Sequence, residues 1–242
     1  DAVRQVEEVM LARRDIAANA VFKFFPCQSD GQLLLVYAPD GQTVLERFYF
    51  GRQSQREGLC LADYVLPKSP HHPSGKENPP IPPFEGGRLE GMDYIAMFVT
   101  TIGPGVRDLA EQWKAEGKFL NSHILQALAL EGAEAFAELL HQQIRQMWGF
   151  GDPPDLTHQD LFRTQYRGRR YSFGYPACPR LEDQAQLFRL LNVTANIGVE
   201  LTEGFMMDPE ASVSALVFHH PDAKYFNLSE QDVPRLEREA AA

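Results

Sequence analysis

Cysteine is scarce in this chain: three residues, Cys27, Cys60 and Cys178, stand far apart with no CxxC pair. An odd, dispersed set argues against a disulfide framework or a zinc ribbon, and suits a reducing, cytoplasmic compartment. Basic residues are in deficit, 23 Lys+Arg against 33 Asp+Glu, which leaves a formal net charge of −10. That balance argues against a nucleic-acid partner, whose affinity rests on neutralising phosphates. Apolar runs are only a handful of residues long, as at Leu33–Tyr37, where crossing a bilayer takes about 20. The acidic opening has no apolar signal-peptide region. The chain starts at Asp1 and ends in Ala240, Ala241 and Ala242, and so reads as one domain cut from a longer polypeptide. The dinucleotide fingerprint, the phosphate-binding GxxxxGK[ST] loop, GxSxG and HExxH are all missing, which removes the familiar catalytic readings.

What is present is ordinary globular composition, 44% hydrophobic and 23% charged. Val3, Val6, Met10 and Ala17 predict an amphipathic helix over residues 3–17. Strands are expected at Ala20–Phe25, Gln32–Tyr37 and Thr43–Phe50, the last two joined through the turn Pro39-Asp40-Gly41. Pro67–Gly91 holds seven of the seventeen prolines and reads as a long loop or insertion. Tyr94–Thr101 is a buried-strand candidate and Val106–Glu116 a short helix. From Asn121 or Ser122, Leu125, Leu128, Gly132, Phe136, Leu139 and Met147 recur three or four apart and predict the longest helix. Thr157 with Asp160 looks like an N-cap pair. Glu182–Leu191 reads as helix; Ile197–Leu201 and Ser212–Phe218 read as strands. This order points to an antiparallel α+β domain and not to alternating βαβ units.

Two groups invite metal readings. Glu134, Glu138 and His141 lie at i, i+4 and i+7 on the long helix. A di-iron bundle needs a second ExxH and two further Glu, and no second copy exists. A solvated acidic face or one carboxylate used for binding remains. His219 and His220 are adjacent on a strand and so point to opposite faces. They read as surface or core histidines. No metal site and no catalytic residue is assigned.

The densest feature is the stretch 166–179, YRGRRYSFGYPACP. Three arginines in four residues with two glycines and two prolines suit an irregular loop that holds a polar ligand. The planar fork of Arg170 matches a carboxylate. Gly174 lets backbone approach closely, and Tyr175 offers a face for stacking.

The RxxxGYPACP run from Arg170 to Pro179 resembles the signature loop of the S-adenosylmethionine-binding activation domains of cobalamin-dependent methionine synthases. Segments in the same order extend the likeness: Cys60–Tyr64, Ala133–Glu138 with His141, Trp148-Gly149, Leu201–Glu203, Ala211–Ser214 and His220–Phe226. Together they cover nearly the whole chain, from about Val21 to Leu228. The resemblance implies a single C-shaped α+β domain, its twisted antiparallel sheet flanked by helices. It implies S-adenosylmethionine as ligand, and cobalamin held by a neighbouring domain that is not in this chain. It implies a flavodoxin-like electron donor as partner. The reaction so implied is reductive methylation of inert cob(II)alamin to methylcobalamin, which restores the parent methyltransferase.

Matched residue by residue, the resemblance assigns ligand roles to Asp63, Glu134, Arg170, Ser172, Gly174, Tyr175 and Tyr225. Three positions depart from it. Thr164 stands where many members carry Glu, Ser172 replaces a common Ala, and Phe173 replaces a common Pro. A stretch from about Ser69 to Glu90 looks inserted. Because Thr164 removes an acid, the alternative is a non-catalytic docking scaffold that binds S-adenosylmethionine weakly or not at all.

Overall fold

The computed structural model describes residues 2–54, 57–68, 80–83, 89–229 and 231–232. The two most apolar stretches of the sequence become the centre of a sheet: β4 (Asp93–Thr101) and β8 (Ser212–Phe218) are buried at every residue. Their neighbours are β1 (Asn19–Asp30), β2 (Leu33–Tyr37), β3 (Val44–Tyr49) and β5 (Arg169–Tyr171), in the order β3-β2-β1-β4-β8-β5. Every pairing is antiparallel. A second, two-stranded ladder joins β6 (Glu200–Leu201) to β7 (Met207–Asp208).

Strand alternation splits the core in two. Tyr94, Ala96 and Phe98 of β4, with Val213, Ala215 and Val217 of β8, face α1 (Ala2–Ala12), α2 (Gly105–Ala115) and α3 (Phe119–Met147). Ile95, Met97 and Val99, with Leu216 and Phe218, face a second layer. That layer holds the 3₁₀ turn Leu61–Tyr64, the loop around Phe173 and α5 (Gln184–Leu191). The short helices α4 (His158–Phe162) and α6 (Val193–Ile197) and a second 3₁₀ turn, Leu181–Asp183, complete the elements among the described residues. The architecture is α+β, as the element order predicts.

Several boundaries differ from expectation for identifiable reasons. The first helix stops at Ala12, where Arg13 turns its guanidinium onto Asp15. Strand β1 runs on through Pro26 to Asp30, because β2 pairs only from Cys27↔Val36 onward. The missing N–H of Pro26 therefore leaves the β1–β2 ladder complete. Helix α3 starts at Phe119, and its buried stripe is Leu125, Ala129, Ala133, Ala137, Leu140 and Ile144, while Leu139 and Met147 are exposed. Three alanines let the helix lie close on the sheet, so the stripe is rotated away from the larger leucines. Residues 193–197 form a short helix that takes Ile197 from the strand expected at Ile197–Leu201, bounded by Asn192 and Gly198 in the left-handed region; of that strand Glu200–Leu201 is present. The capping box of Thr157 and Asp160 is present in full. The proline-rich loop is described only in part; residues 69–79 and 84–88 of the expected insertion lie outside the described residues. All three cysteines are buried and free.

Candidate functional site

The irregular loop expected around Arg170 contains a three-residue edge strand, β5, paired with β8 in the register Arg169↔Phe218, Arg170↔Val217, Tyr171↔Leu216. An edge strand tolerates arginines that a central one does not. Gly168 makes this pairing possible: it has φ +78°, and a Cβ there would sit 2.5 Å from the Phe218 carbonyl oxygen. The register decides where Arg170 points. Its partner Val217 belongs to the core beneath α3, whereas Tyr171 packs in the opposite core. Arg170 thus reaches the two acids one turn apart on α3.

Arg170 donates from Nη1 to Glu138 Oε2 and, at a long 3.5 Å, from Nη2 to Glu134 Oε2. Behind this pair lies a buried base. Arg145, with no exposed side-chain surface, forms two parallel hydrogen bonds to Asp152, from Nε at 2.7 Å and Nη2 at 2.6 Å. Its guanidinium stacks 3.8 Å over the Tyr166 ring, and its Nη1 lies 3.9 Å from Glu138 Oε1. Burial, followed by the nearby Glu138 charge, pushes the Tyr166 phenol up to about 12.

Downstream of β5 the chain makes a tight turn. Gly174, at φ +82°, donates its amide to the Cys178 carbonyl at 2.8 Å, and Cys178 donates back to Tyr175 at 2.8 Å. The positive φ is the reason for glycine here. The turn presents exposed Tyr175 beside half-exposed Tyr225, and the Leu228 amide donates to the Pro176 carbonyl to hold the irregular segment after β8 against it. Burial raises the Tyr225 phenol above the ordinary tyrosine value despite Arg170 nearby, so it remains a hydroxyl donor.

Between these walls lies a cavity of about 360 Å³ whose lining includes Glu134, Arg170, Ser172, Tyr175 and Tyr225. That volume falls within the range of small-molecule sites, about 300–1,000 Å³. A groove of about 600 Å³ between α3 and α4 adjoins it through Glu134, Arg170 and Tyr225, and carries Thr164 and the exposed Phe162 on its wall. Five of the seven sequence-predicted residues therefore converge on one cavity. Gly174 shapes the turn and does not line it. Asp63 stands apart: it is exposed on the 3₁₀ turn and paired with Arg52 through two bonds of 2.6 and 2.7 Å. Its neighbour Tyr64 connects that turn to the site, accepting from the Lys224 amide at 3.3 Å, next to Tyr225.

Sequence spacing left Glu138 open between a solvated face and a binding carboxylate; the structure makes it an ion-pair partner of Arg170. Arg145 and Asp152 escaped notice altogether, since only their spatial junction with Tyr166 gives them a part. His219 is a core residue, its Nε2 2.7 Å from Asp93 Oδ1.

His141 is buried between α3 and Tyr166, with ring centroids 5.4 Å apart, and neither ring nitrogen has a hydrogen-bond partner among the described residues. Burial first, and then Arg145, Arg170 and Arg169, hold its pKa well below 6.5. The unfolded chain takes up a proton near pH 6.5 that the folded chain refuses. Stability is therefore intact above that pH and falls below it, by up to about 1.4 kcal/mol per pH unit. Asp183 opposes this, because burial raises its carboxyl to about 6 and acid restores its preferred protonated form. The expected result is that, as pH drops below 6.5, the melting temperature of His141→Phe changes in the stabilising direction relative to that of the unsubstituted chain. Parallel profiles in thermal melts at several pH values contradict the assignment.

The comparisons with known proteins agree with this picture. Residues 1–238 match the family model described as vitamin B12 dependent methionine synthase, activation domain. The chain is 32% identical over 221 residues to a methionine synthase of Mycobacterium tuberculosis (strain ATCC 25618 / H37Rv), and 31% identical over 221 residues to one of Mycobacterium leprae (strain TN). Each alignment covers 87% of this chain and 17% of the relative, so the chain spans about a sixth of those proteins' length. Among solved structures, a MetH reactivation domain bound to AdoHcy (S-adenosylhomocysteine) superposes with a TM-score of 0.83 at 31% identity, covering 99% of this chain and 70% of that one. With its family model matched from end to near end, this chain belongs to the activation-domain family of vitamin B12 dependent methionine synthases.

Proposed function

We propose that this chain binds S-adenosylmethionine in the cavity bounded by Arg170, Glu134 and the Gly174 turn. It does so as the C-terminal module of a cobalamin-dependent methionine synthase, and so supports reductive methylation of cob(II)alamin. One observation carries the reading: a guanidinium, a carboxylate and two phenolic side chains line the same small-molecule-sized cavity. The structural relative crystallised with AdoHcy supports it.

The ligand carries a carboxylate, an ammonium, a sulfonium and an adenosine, and the lining answers each in kind. Arg170 offers its fork to the carboxylate, aided by the Tyr225 hydroxyl. Glu134 is half-exposed and only loosely paired, so its charge is available to the ammonium or sulfonium. Backbone at Ser172 and Gly174 suits the remaining polar edges, and Tyr175 the purine face. Asp63 lies outside the cavity lining and is paired with Arg52, so its proposed ligand role rests on the family resemblance alone. No general base is needed, because the positive sulfur already activates the methyl group. The protein contributes placement of the methyl against a nucleophile presented by another domain. Cobalamin supplies that nucleophile when its domain docks.

The proposed partners are that cobalamin domain and a flavodoxin-like donor; Arg163, Arg167 and Arg169 line a shared concavity of about 630 Å³ that suits an acidic surface. A reducing, cytoplasmic setting fits three buried, free cysteines. Among the described residues no helix is long and apolar enough to cross a membrane.

One feature favours the docking-scaffold alternative: Arg170 is already engaged by the chain's own Glu134 and Glu138. Calorimetric titration with S-adenosylmethionine separates the two. Saturable one-to-one heat is expected, and no detectable heat at millimolar ligand favours the scaffold.

A further inference from the structure

Arg170 meets two acids, and they are not equivalent. Glu134 contacts it at 3.5 Å with 54% of its side chain exposed. Glu138 makes the closer contact with 31% exposed, and its other oxygen faces the guanidinium of Arg145 at 3.9 Å. Arg145 is itself immovable: 0% exposed, clamped by the two bonds to Asp152 (6% exposed), and stacked on Tyr166. The charges thus form a line, Asp152–Arg145–Glu138–Arg170–Glu134, dry at the inner end and wet at the outer, its Arg145–Glu138 step a charge contact without a hydrogen bond. Buried, bidentate pairs hold their geometry, while exposed single contacts are worth little and exchange readily.

We infer that Glu138 is a positioning residue for ligand recognition: held from behind by Arg145 and Asp152, it fixes the Arg170 fork so that an incoming carboxylate displaces Glu134 and not Glu138. The inference rests on the proposed binding of S-adenosylmethionine, and it adds residues that touch no part of the ligand. Helix α3 is suited to the task. Glu134 and Glu138 lie one turn apart on its face, while Ala133, Ala137 and Leu140 pin the same turns into the core. Only the amino-acid end of the ligand should sense the device, because only that end meets Arg170.

The test compares two probes, AdoHcy and 5′-methylthioadenosine, which keeps the nucleoside and sulfur but has no carboxylate. In Glu138→Gln, AdoHcy affinity is expected to fall roughly tenfold, with 5′-methylthioadenosine affinity unchanged. Asp152→Asn should act in the same direction, and Glu138→Gln should add nothing in an Arg170→Ala background. Equal losses for both probes mean a general structural role and overturn the inference, as does unchanged AdoHcy binding in Glu138→Gln. If Asp152→Asn fails to fold, the partly exposed Glu138 variant decides alone. Failure of the unsubstituted chain to bind AdoHcy sinks the binding reading and the inference with it. AdoHcy binding that survives Glu138→Gln but not Arg170→Ala sinks the inference alone.

Discussion

Replacing Arg170 with alanine is expected to weaken AdoHcy binding roughly ten- to a hundredfold, since a hydrogen bond to a charged group contributes about 1.5–3 kcal/mol. The side chain sits at the junction of the cavity and the groove, so its loss affects both walls. The fold should survive. Arg170 lies on an edge strand of three residues, and its partner Glu138 keeps Arg145 nearby. Calorimetric titration gives the affinity, and a thermal melt guards against a trivial loss of folding. An unchanged dissociation constant removes Arg170 from the site.

The largest stability effect is expected one layer deeper. Arg145→Met leaves Asp152 buried without its ionic partner, retaining among the described residues the Gln142 side chain at 3.4 Å. Breaking a buried pair by removing one member costs about 3–5 kcal/mol, because the remaining charge is stranded in a low-dielectric setting. For a chain of 242 residues, each kcal/mol lowers Tm by about 2–4 °C, so a fall of roughly 6–20 °C is anticipated. The double variant Arg145→Met/Asp152→Asn should recover part of that loss, since no unpaired charge remains. A double variant less stable than the single one contradicts the electrostatic account and points to the packing of Arg145 on Tyr166 instead.

These two arginines also mark what sequence reasoning reaches. Arg170 was legible because the glycines and prolines around it mark an irregular segment on their own, and the structure places it on a cavity wall. The turn at Pro39-Asp40-Gly41 was legible for the same local reason, and Asp40 Oδ1 accepts from the Gln42 and Thr43 amides at 2.9 Å. The central strands announced themselves by short continuous apolar runs, and the capping box by its two residues three apart. Arg145 and Asp152 carried no such sign. They are seven positions apart across a helix end, and their value comes from Tyr166, which returns onto Arg145 from beyond α4. The β5 strand was missed because three residues display no periodicity, and α6 because the sign of φ at Asn192 is not written in its composition. Thr164, also in the left-handed region at φ 53°, faces the groove beside three glutamates of α3. Glu131, Glu134 and Glu138 of α3 line the same groove.

A crystal structure of this chain with AdoHcy is the most direct test of the central claim. The account predicts the ligand carboxylate on the Arg170 fork, the Arg170–Glu138 pair retained, Glu134 released, and the nucleoside against the Gly174–Tyr175 turn. AdoHcy located elsewhere, or an Arg170 still bridging both glutamates with the ligand present, contradicts it.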